Sequence, residues 1–277
     1  MKKILLLAAC LLVCIQLHAG VRIGSWNLQN FGDKKPDSVL AVIAHTVRDL
    51  DVVALQEILT SKGGARAVAR LVARLNEGAV QWDYVISDPT RSENQQEQER
   101  YAFIWKKSRV QRKGAYTLAL PYQDSISREP FLCTFRAEGM EFTLVNFHAL
   151  PKKKQPETEI RYLRYFPGLY AGKQLIFLGD FNCPQSHTVF NPLKAGGYRP
   201  ALMGVRTTLR QECKDGECMA SEYDNIFFPD AGFRLEDSGV LPFYRHYNGD
   251  MKLARRLSDH APVFVELTVK EKTVPHP

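Results

Sequence analysis

Four carboxylates, four asparagines and two histidines stand at the ends of apolar runs in this chain, where side chains can act on a ligand. Asn27 closes the first run and Glu57 follows Val52–Leu55. Asn146 and His148 end the run that begins at Phe142, and Asp180 and Asn182 follow Leu175–Leu178. Asp224 and Asn225 open another run, and Asp259 and His260 stand just before the last. Strand ends are rigid and the loops beyond them open, so reactive groups are often delivered this way. Taken singly, each has a plainer meaning: an Asp or Asn after a strand is a turn former, a lone His is a hydrogen-bonded surface residue, and Glu57 is an exposed carboxylate. Together they fit metal-assisted phosphodiester hydrolysis. The hard oxygens of Glu57, Asp259 and Asn27 favour Mg²⁺, Mn²⁺ or Ca²⁺ over zinc. One histidine can take a proton from water and the other can protonate a leaving oxygen. A carboxylate beside each would fix its tautomer and raise its basicity. The chain has no serine nucleophile elbow and no phosphate-cradling glycine loop.

The elements that must position these groups are mostly strands. Period-two and continuous apolar runs predict strands at Val21–Leu28, Asp51–Gln56, Trp82–Ser87, Tyr101–Trp105, Gln111–Leu118, Phe131–Phe135, Phe142–His148, Gln174–Leu178, Asp224–Phe228 and Pro262–Val269. Helices are expected at Pro36–Asp49, Ala65–Asn76, Glu157–Tyr165 and Thr188–Lys194. Many strands and few helices, without strict alternation, point to two stacked sheets flanked by helices.

The chain has 277 residues, 45% hydrophobic and 24% charged. That composition excludes a disordered chain, a collagen-like repeat and a small disulfide scaffold. Lys2 and Lys3 precede an apolar run from Ile4 to Ile15, and Leu17-His18-Ala19 fits a cleavage site. Residues 1–19 therefore read as a signal peptide, and residues 20–277 as one exported domain, secreted or periplasmic. A lipoprotein signal ending at Cys10 would leave a shorter apolar core and ranks second. Loss of Lys2 and Lys3 takes the net charge from +7 to +5, suited to a polyanion but equally to simple solubility. Of the remaining cysteines, Cys213 and Cys218 bracket an Asp-Gly turn and can bridge locally, though Cys183 could pair with either. Cys133, in an apolar run, reads as a buried free thiol.

Eight blocks, in order, resemble the endonuclease/exonuclease/phosphatase superfamily and its deoxyribonuclease I-like branch. They are Ser25-Trp-Asn-Leu-Gln-Asn-Phe-Gly32, Val53-Ala-Leu-Gln-Glu57, Glu99-Arg-Tyr-Ala-Phe103, Ser127-Arg-Glu-Pro130, Asn146-Phe-His-Ala149, Gly179-Asp-Phe-Asn182, Tyr223-Asp-Asn-Ile226 and Ser258-Asp-His-Ala-Pro262. The resemblance implies a four-layer α/β/β/α sandwich with its site at one edge of the two sheets. It implies metal binding at Asn27 and Glu57, with Asp180, Asn182 and Asp259 at the remaining phosphate and metal positions. His260, oriented by Asp224, would activate the attacking water. His148, paired with Glu99, would serve as acid toward the leaving O3′. Arg128 would clamp a phosphate and Tyr223 would contact substrate. The implied activity is a divalent-metal-dependent endonuclease acting on the phosphate backbone of DNA, as a monomer without membrane insertion.

Two positions depart from the branch's pattern. Leu59 and Glu97 stand where an arginine and a tyrosine would enter the minor groove. Leu59 cannot make the hydrogen bonds of arginine, and the charge of Glu97 would be repelled by phosphate. Lys152-Lys153-Lys154 could supply replacement contacts, or could be a solvated loop. The same machinery on another phosphoester, as in a phosphatase, a sphingomyelinase or a toxin nuclease subunit, is the alternative. No clear membrane-docking hairpin favours the second of these. A binding module with a degraded site is disfavoured because all the implied catalytic positions are filled.

Overall fold

The computed structural model describes residues 20–92 and 94–270. The expected signal peptide lies outside these, as does the tail from residue 271 onward. In chain order the first half builds β1 (Val21–Phe31), α1 (Asp37–Val47), β2 (Val52–Ile58), α2 (Lys62–Leu75), β3 (Trp82–Ile86) and β4 (Arg100–Lys106). The middle builds β5 (Gln111–Leu118), β6 (Phe131–Ala137), β7 (Met140–His148), α3 (Glu157–Ile160), α4 (Phe166–Leu169) and β8 (Leu175–Asp180). The remainder builds α5 (Asn191–Ala195), β9 (Tyr198–Pro200), β10 (Leu209–Lys214), β11 (Glu217–Met219), β12 (Asp224–Pro229), β13 (Phe233–Val240), α6 (Met251–Leu257) and β14 (Val263–Val269).

These strands form two six-stranded sheets, ordered β13-β14-β1-β2-β4-β3 and β5-β6-β7-β8-β12-β9, and the small hairpin β10-β11. Each large sheet has one parallel pair at its centre, β1 with β2 and β7 with β8, and is otherwise antiparallel. The central strands β2 and β8 are covered on both faces, which is why each opens on a continuous apolar run, Val52–Leu55 and Leu175–Leu178. Three apolar layers separate four structural ones. Val39, Leu40, Ile43 and Val47 of α1 and Val68 and Leu71 of α2 pack on the outer face of the first sheet. Val52, Ala54, Phe103, Phe135, Leu144 and Ile176 fill the space between the sheets. Leu163, Phe166, Phe177 and Phe227 close the outer face of the second. Each such fully buried aliphatic or phenyl side chain contributes about 1.5–3 kcal/mol. The expected α/β/β/α sandwich is the fold observed.

The differences from the sequence reading are local. The expected helix Glu157–Tyr165 is broken: α3 ends at Ile160, a 3₁₀ turn covers Leu163–Tyr165, and α4 follows. The expected helix Thr188–Lys194 is likewise a 3₁₀ turn at Thr188–Phe190 followed by α5, since Pro192 can sit only in a first turn. Strands β9, β10, β11 and β13 and helix α6 were not anticipated. Cys213 and Cys218 are disulfide-bonded across the β10-β11 turn, whereas Cys133 and Cys183 are buried free thiols. Among the described residues, no helix is long and apolar enough to cross a membrane.

Candidate active site

The polar strand ends from both sheets meet at one edge of the sandwich. Asp180, the last residue of β8, lies at the centre. Its Oδ2 is 3.4 Å from Nε2 of His148 and 3.5 Å from Nε2 of His260. The far nitrogen of each ring is held by its own carboxylate. His148 Nδ1 meets Glu99 Oε2 at 2.8 Å, and His260 Nδ1 meets Asp224 Oδ2 at 2.8 Å. Both pairs span the two sheets. His148 ends β7 of the second sheet and Glu99 precedes β4 of the first; Asp224 opens β12 of the second and His260 precedes β14 of the first.

Several local devices aim these groups. Gly179, with φ +142°, brings the backbone so close to β7 that a Cβ would fall 1.8 Å from the Phe147 carbonyl oxygen. Only glycine allows β8 to set Asp180 directly beside His148. The ladder between β1 and β2 shifts register after Asn27, and that between β2 and β4 shifts after Leu55. Glu57 stands in the second irregularity with φ +57°. This backbone is costly for a residue with a side chain and typical of functional positions. It turns the Glu57 carboxylate toward Asn27, whose Nδ2 donates to Glu57 Oε1 at 2.9 Å and to Asp180 Oδ2 at 3.2 Å. Asn30 N–H donates to Glu57 Oε2 at 3.0 Å. Asn182 N–H donates to Asp180 Oδ1 at 2.9 Å, and its amide donates to the Ala149 carbonyl at 3.1 Å. Ser258 Oγ donates to the Asn27 carbonyl at 2.6 Å and accepts the His260 N–H at 2.9 Å, tying the last loop to β1.

The charges follow from this packing. Burial works against the charged form of His260, but Asp224, Asp180 and Asp259 together outweigh it and raise its pKa well above the ordinary value. Burial and Arg128 likewise oppose charge on His148, and Glu99 and Asp180 overcome them. Burial disfavours the carboxylate of Asp180, yet His260 and His148 hold its pKa below the ordinary range. Both imidazoles are thus pulled toward the charged form around one shared carboxylate.

A divalent cation fits the same edge. Glu57 and Asp180 present hard oxygens to one amide donor, Asn27 Nδ2, which stands between them where a cation would compete for both. Asp259 is close enough to act on His260 and Lys35 through space, and its own carboxylate faces Arg255 at 3.6 Å. Among the described residues, the three His and carboxylate ligand atoms that approach within 4.8 Å are those of Asp180, Asp224 and His260. This is a different set from the expected Glu57, Asn27 and Asp259. The His260–Asp224 hydrogen bond already accounts for two of its members.

Other expected site residues occupy varied positions. Arg128 borders the cleft but is only 6% exposed. Its Nε donates to the His148 carbonyl at 3.1 Å, its Nη1 to Glu99 Oε2 at 3.3 Å, and its Nη2 to the Ala149 carbonyl. Glu129, its neighbour in sequence, accepts the Arg91 N–H instead. Tyr223 is half-buried beside Asp224, with its N–H donating to Thr207 Oγ1 at 3.2 Å. Glu97 is paired with Lys154, which offsets the negative charge expected to repel phosphate. Leu59 packs its side chain over Gly32.

The sequence reading missed Thr207 and Lys35. Thr207 is fully buried, and its hydroxyl donates to Asp224 Oδ2 at 2.6 Å while accepting the Asp224 N–H at 3.0 Å. It lies in Arg206-Thr207-Thr208, outside any helix and at no recognised strand end, so nothing in its local pattern marks it. Lys35 donates to the carbonyls of Arg256, at 3.0 Å, and Leu257, at 2.5 Å. Burial lowers its pKa to about 8 against the opposing pull of Glu57 and Asp259.

The sequence profile of the endonuclease/exonuclease/phosphatase family matches residues 24–260. The chain belongs to that family. Among its relatives is a protein named deoxyribonuclease from Thioalkalivibrio sp. (strain K90mix), 30% identical over 267 residues, covering 89% of this chain and 71% of the relative. Another is deoxyribonuclease-1-like 2 of Mus musculus, 28% identical over 265 residues, covering 90% of this chain and 92% of that one. A solved endonuclease/exonuclease/phosphatase family protein from Bacteroides thetaiotaomicron superposes with a TM-score of 0.65 at 17% identity, over 91% of this chain and 98% of that one. The family resemblance and the sandwich read from the sequence are thus both found. The family groups nucleases with phosphatases, and phosphoester hydrolysis is their shared chemistry.

Proposed function

We propose that this chain is an exported, divalent-metal-dependent endonuclease that hydrolyses DNA, with residues 20–277 acting as one monomeric domain. The observation that carries the reading is the pair of histidines, each backed by its own buried carboxylate, on either side of Asp180. A single phosphate seated over Asp180 would have one imidazole on the side of the attacking water and one on the side of the leaving oxygen. The relatives named deoxyribonuclease support DNA as the substrate.

In this reading Glu57 and Asn27 would hold the metal, with Asp259 beside them; Asn27 would turn its amide so that Oδ1, which accepts the Gln29 N–H at 3.0 Å, meets the cation in place of Nδ2. When bound, the cation neutralises charge that develops on the phosphate. His260 accepts a proton from the attacking water, and Asp224 fixes its ring and stabilises the imidazolium. His148 donates its proton to the leaving O3′, oriented by Glu99. Asn182 and Asp180 fix the phosphate position. The products carry 5′-phosphates. Both histidines favour the charged state in the metal-free protein, which suits His148 as acid; His260 becomes a base when nearby positive charge opposes its protonation. Arg128 holds Glu99 and the carbonyls of His148 and Ala149, and Tyr223 would contact the substrate. Export is supported by the Cys213–Cys218 disulfide, since such bonds persist in oxidising compartments.

The test is plasmid nicking by the purified protein with Mg²⁺, Mn²⁺ or Ca²⁺ and an EDTA control. Metal-dependent conversion of supercoiled plasmid to nicked and linear forms is expected, with most of it lost in His148→Ala and in His260→Ala. Near-normal turnover in either variant sinks the two-histidine assignment. An intact plasmid with the wild-type protein sinks the DNA assignment and moves the test to phosphoinositides and sphingomyelin.

A further inference from the structure

We propose that Lys35 is a positioning residue for this reaction, a resident cation that holds the segment Ser258-Asp259-His260 against the carboxylates of the metal edge. The inference rests on the metal and acid/base reading above. Its observation is separate: a lysine in the loop after β1 reaches across to the carbonyls of Arg256 and Leu257, at the end of α6.

The last carbonyls of a helix have no partner within it, and a cation there satisfies them and opposes the negative end of the helix dipole. Leu257 immediately precedes Ser258, and Ser258 ties both the Asn27 carbonyl and the His260 N–H. Trp26 adds a further tie, donating from Nε1 to the His260 carbonyl at 2.7 Å. Lys35 thus fixes the start of a three-residue segment whose end is the proposed base. The loop that carries it is itself closed by the Lys35 N–H donating to the Gly32 carbonyl at 3.0 Å. Leu59 packs over that same Gly32, so on this flank an apolar side chain covers the turn and Lys35 supplies the charge. Glu57 and Asp259 both act on the ammonium through space. Lys35 therefore partly neutralises the carboxylates that would bind a cation, while bracing the histidine that uses the water.

These two effects have opposite signs in one variant. Lys35→Met keeps the length of the side chain and removes the ammonium. Mn²⁺ binding, followed by electron paramagnetic resonance without substrate, is expected to tighten several-fold because one repelling charge is gone. kcat on plasmid DNA is expected to fall about tenfold or more with little change in KM, because His260 loses its brace. The downfield Nδ1–H resonance of His260 in the metal-free protein is expected to shift or broaden, while that of His148 stays in place. Lys35→Arg, which keeps the charge, is expected to restore the His260 resonance in part. A residue that merely stabilised the fold would lower the melting temperature without tightening Mn²⁺ binding. An unmoved His260 resonance in folded Lys35→Met, or Mn²⁺ affinity that stays the same or weakens, overturns the proposal. If Lys35→Met does not fold, Lys35→Gln is read in the same way. If wild-type protein cuts no DNA and binds no Mn²⁺, the proposed function fails, and the His260 resonance still decides the role of Lys35.

Discussion

Replacing Arg128 by methionine separates a phosphate clamp from an internal brace. Arg128 is 6% exposed and its three guanidinium nitrogens each meet a protein acceptor: Glu99 and the carbonyls of His148 and Ala149. Methionine keeps most of the volume and removes every donor. Breaking a buried ion pair by deleting one partner costs about 3–5 kcal/mol, because the remaining charge stays buried. Here part of that returns, since Arg128 opposes the protonation of His148 and its loss strengthens the His148–Glu99 pair. A net loss of about 2–4 kcal/mol is expected, a shift of roughly thirtyfold or more in the folding equilibrium. The pH dependence gives a second check. Burial raises the Glu99 pKa, but His148 and Arg128 outweigh it and hold it below its ordinary 4.5. A depressed carboxylate stabilises the fold above its unfolded pKa and ceases to do so as pH falls through the folded one. The gap between wild type and Arg128→Met should therefore be widest above about pH 4.5 and narrow on acidification. The assay is urea unfolding of both proteins in EDTA over that range, with DNA turnover measured on the folded fraction. An exposed clamp predicts the reverse: stability within about 0.5 kcal/mol of wild type and a raised KM alone. That outcome would refute the brace.

Glu57→Gln should raise the Mg²⁺ concentration needed for half-maximal activity, because a neutral amide replaces a charged oxygen ligand; an unchanged metal titration removes Glu57 from the coordination shell. Thr207→Val deletes the 2.6 Å hydrogen bond to Asp224 and should cost about 1.5–3 kcal/mol of stability along with much of kcat; normal kcat would dissociate Asp224 from the orientation of His260. In the metal-free protein, His260 is raised well above its ordinary 6.5 by Asp224, Asp180 and Asp259 against the effect of burial. A raised histidine stabilises the fold fully below its unfolded pKa and loses this as pH rises through the folded one. Stability in EDTA should therefore decline above about pH 6.5, less steeply in His260→Gln; equal slopes would show that His260 does not carry the charge.

The sequence made the central strands legible and the periphery less so, for physical reasons. Strands β2, β7 and β8 are buried along nearly their whole length, so most of their residues are apolar and the polar ones gather at their ends. β13 is an edge strand with most of its residues partly or fully exposed, and it carries Glu236, Asp237 and Gly239, so its sequence resembles a loop. β10 and β11 are stabilised by a hairpin and a disulfide rather than by a buried face. At the site, the histidines and Asp224 are visible because each ends or opens an apolar run, whereas Glu99 enters only through the family resemblance. Thr207 and Lys35 act through hydrogen bonds across long sequence separations and carry no local mark. Arg128 shows the same limit from the other side: the block Ser127-Arg128-Glu129-Pro130 implies a phosphate clamp, and only the fold reveals that Glu99 and two carbonyls enclose the guanidinium. Glu97 was read as a lone negative charge because its partner, Lys154, is far along the chain.

Because each histidine takes its carboxylate from the opposite sheet, the two pairs proposed to move protons share one mechanical coordinate. A slide of one sheet over the other by about an ångström would stretch both 2.8 Å contacts together, and misplacement on that scale can cost roughly a hundredfold in rate. Turnover in this protein then becomes a gauge of registry between its two halves. A state that kept every strand but loosened the layer of Phe103, Phe135 and Leu144 would lose acid and base in the same event, before any strand had come apart.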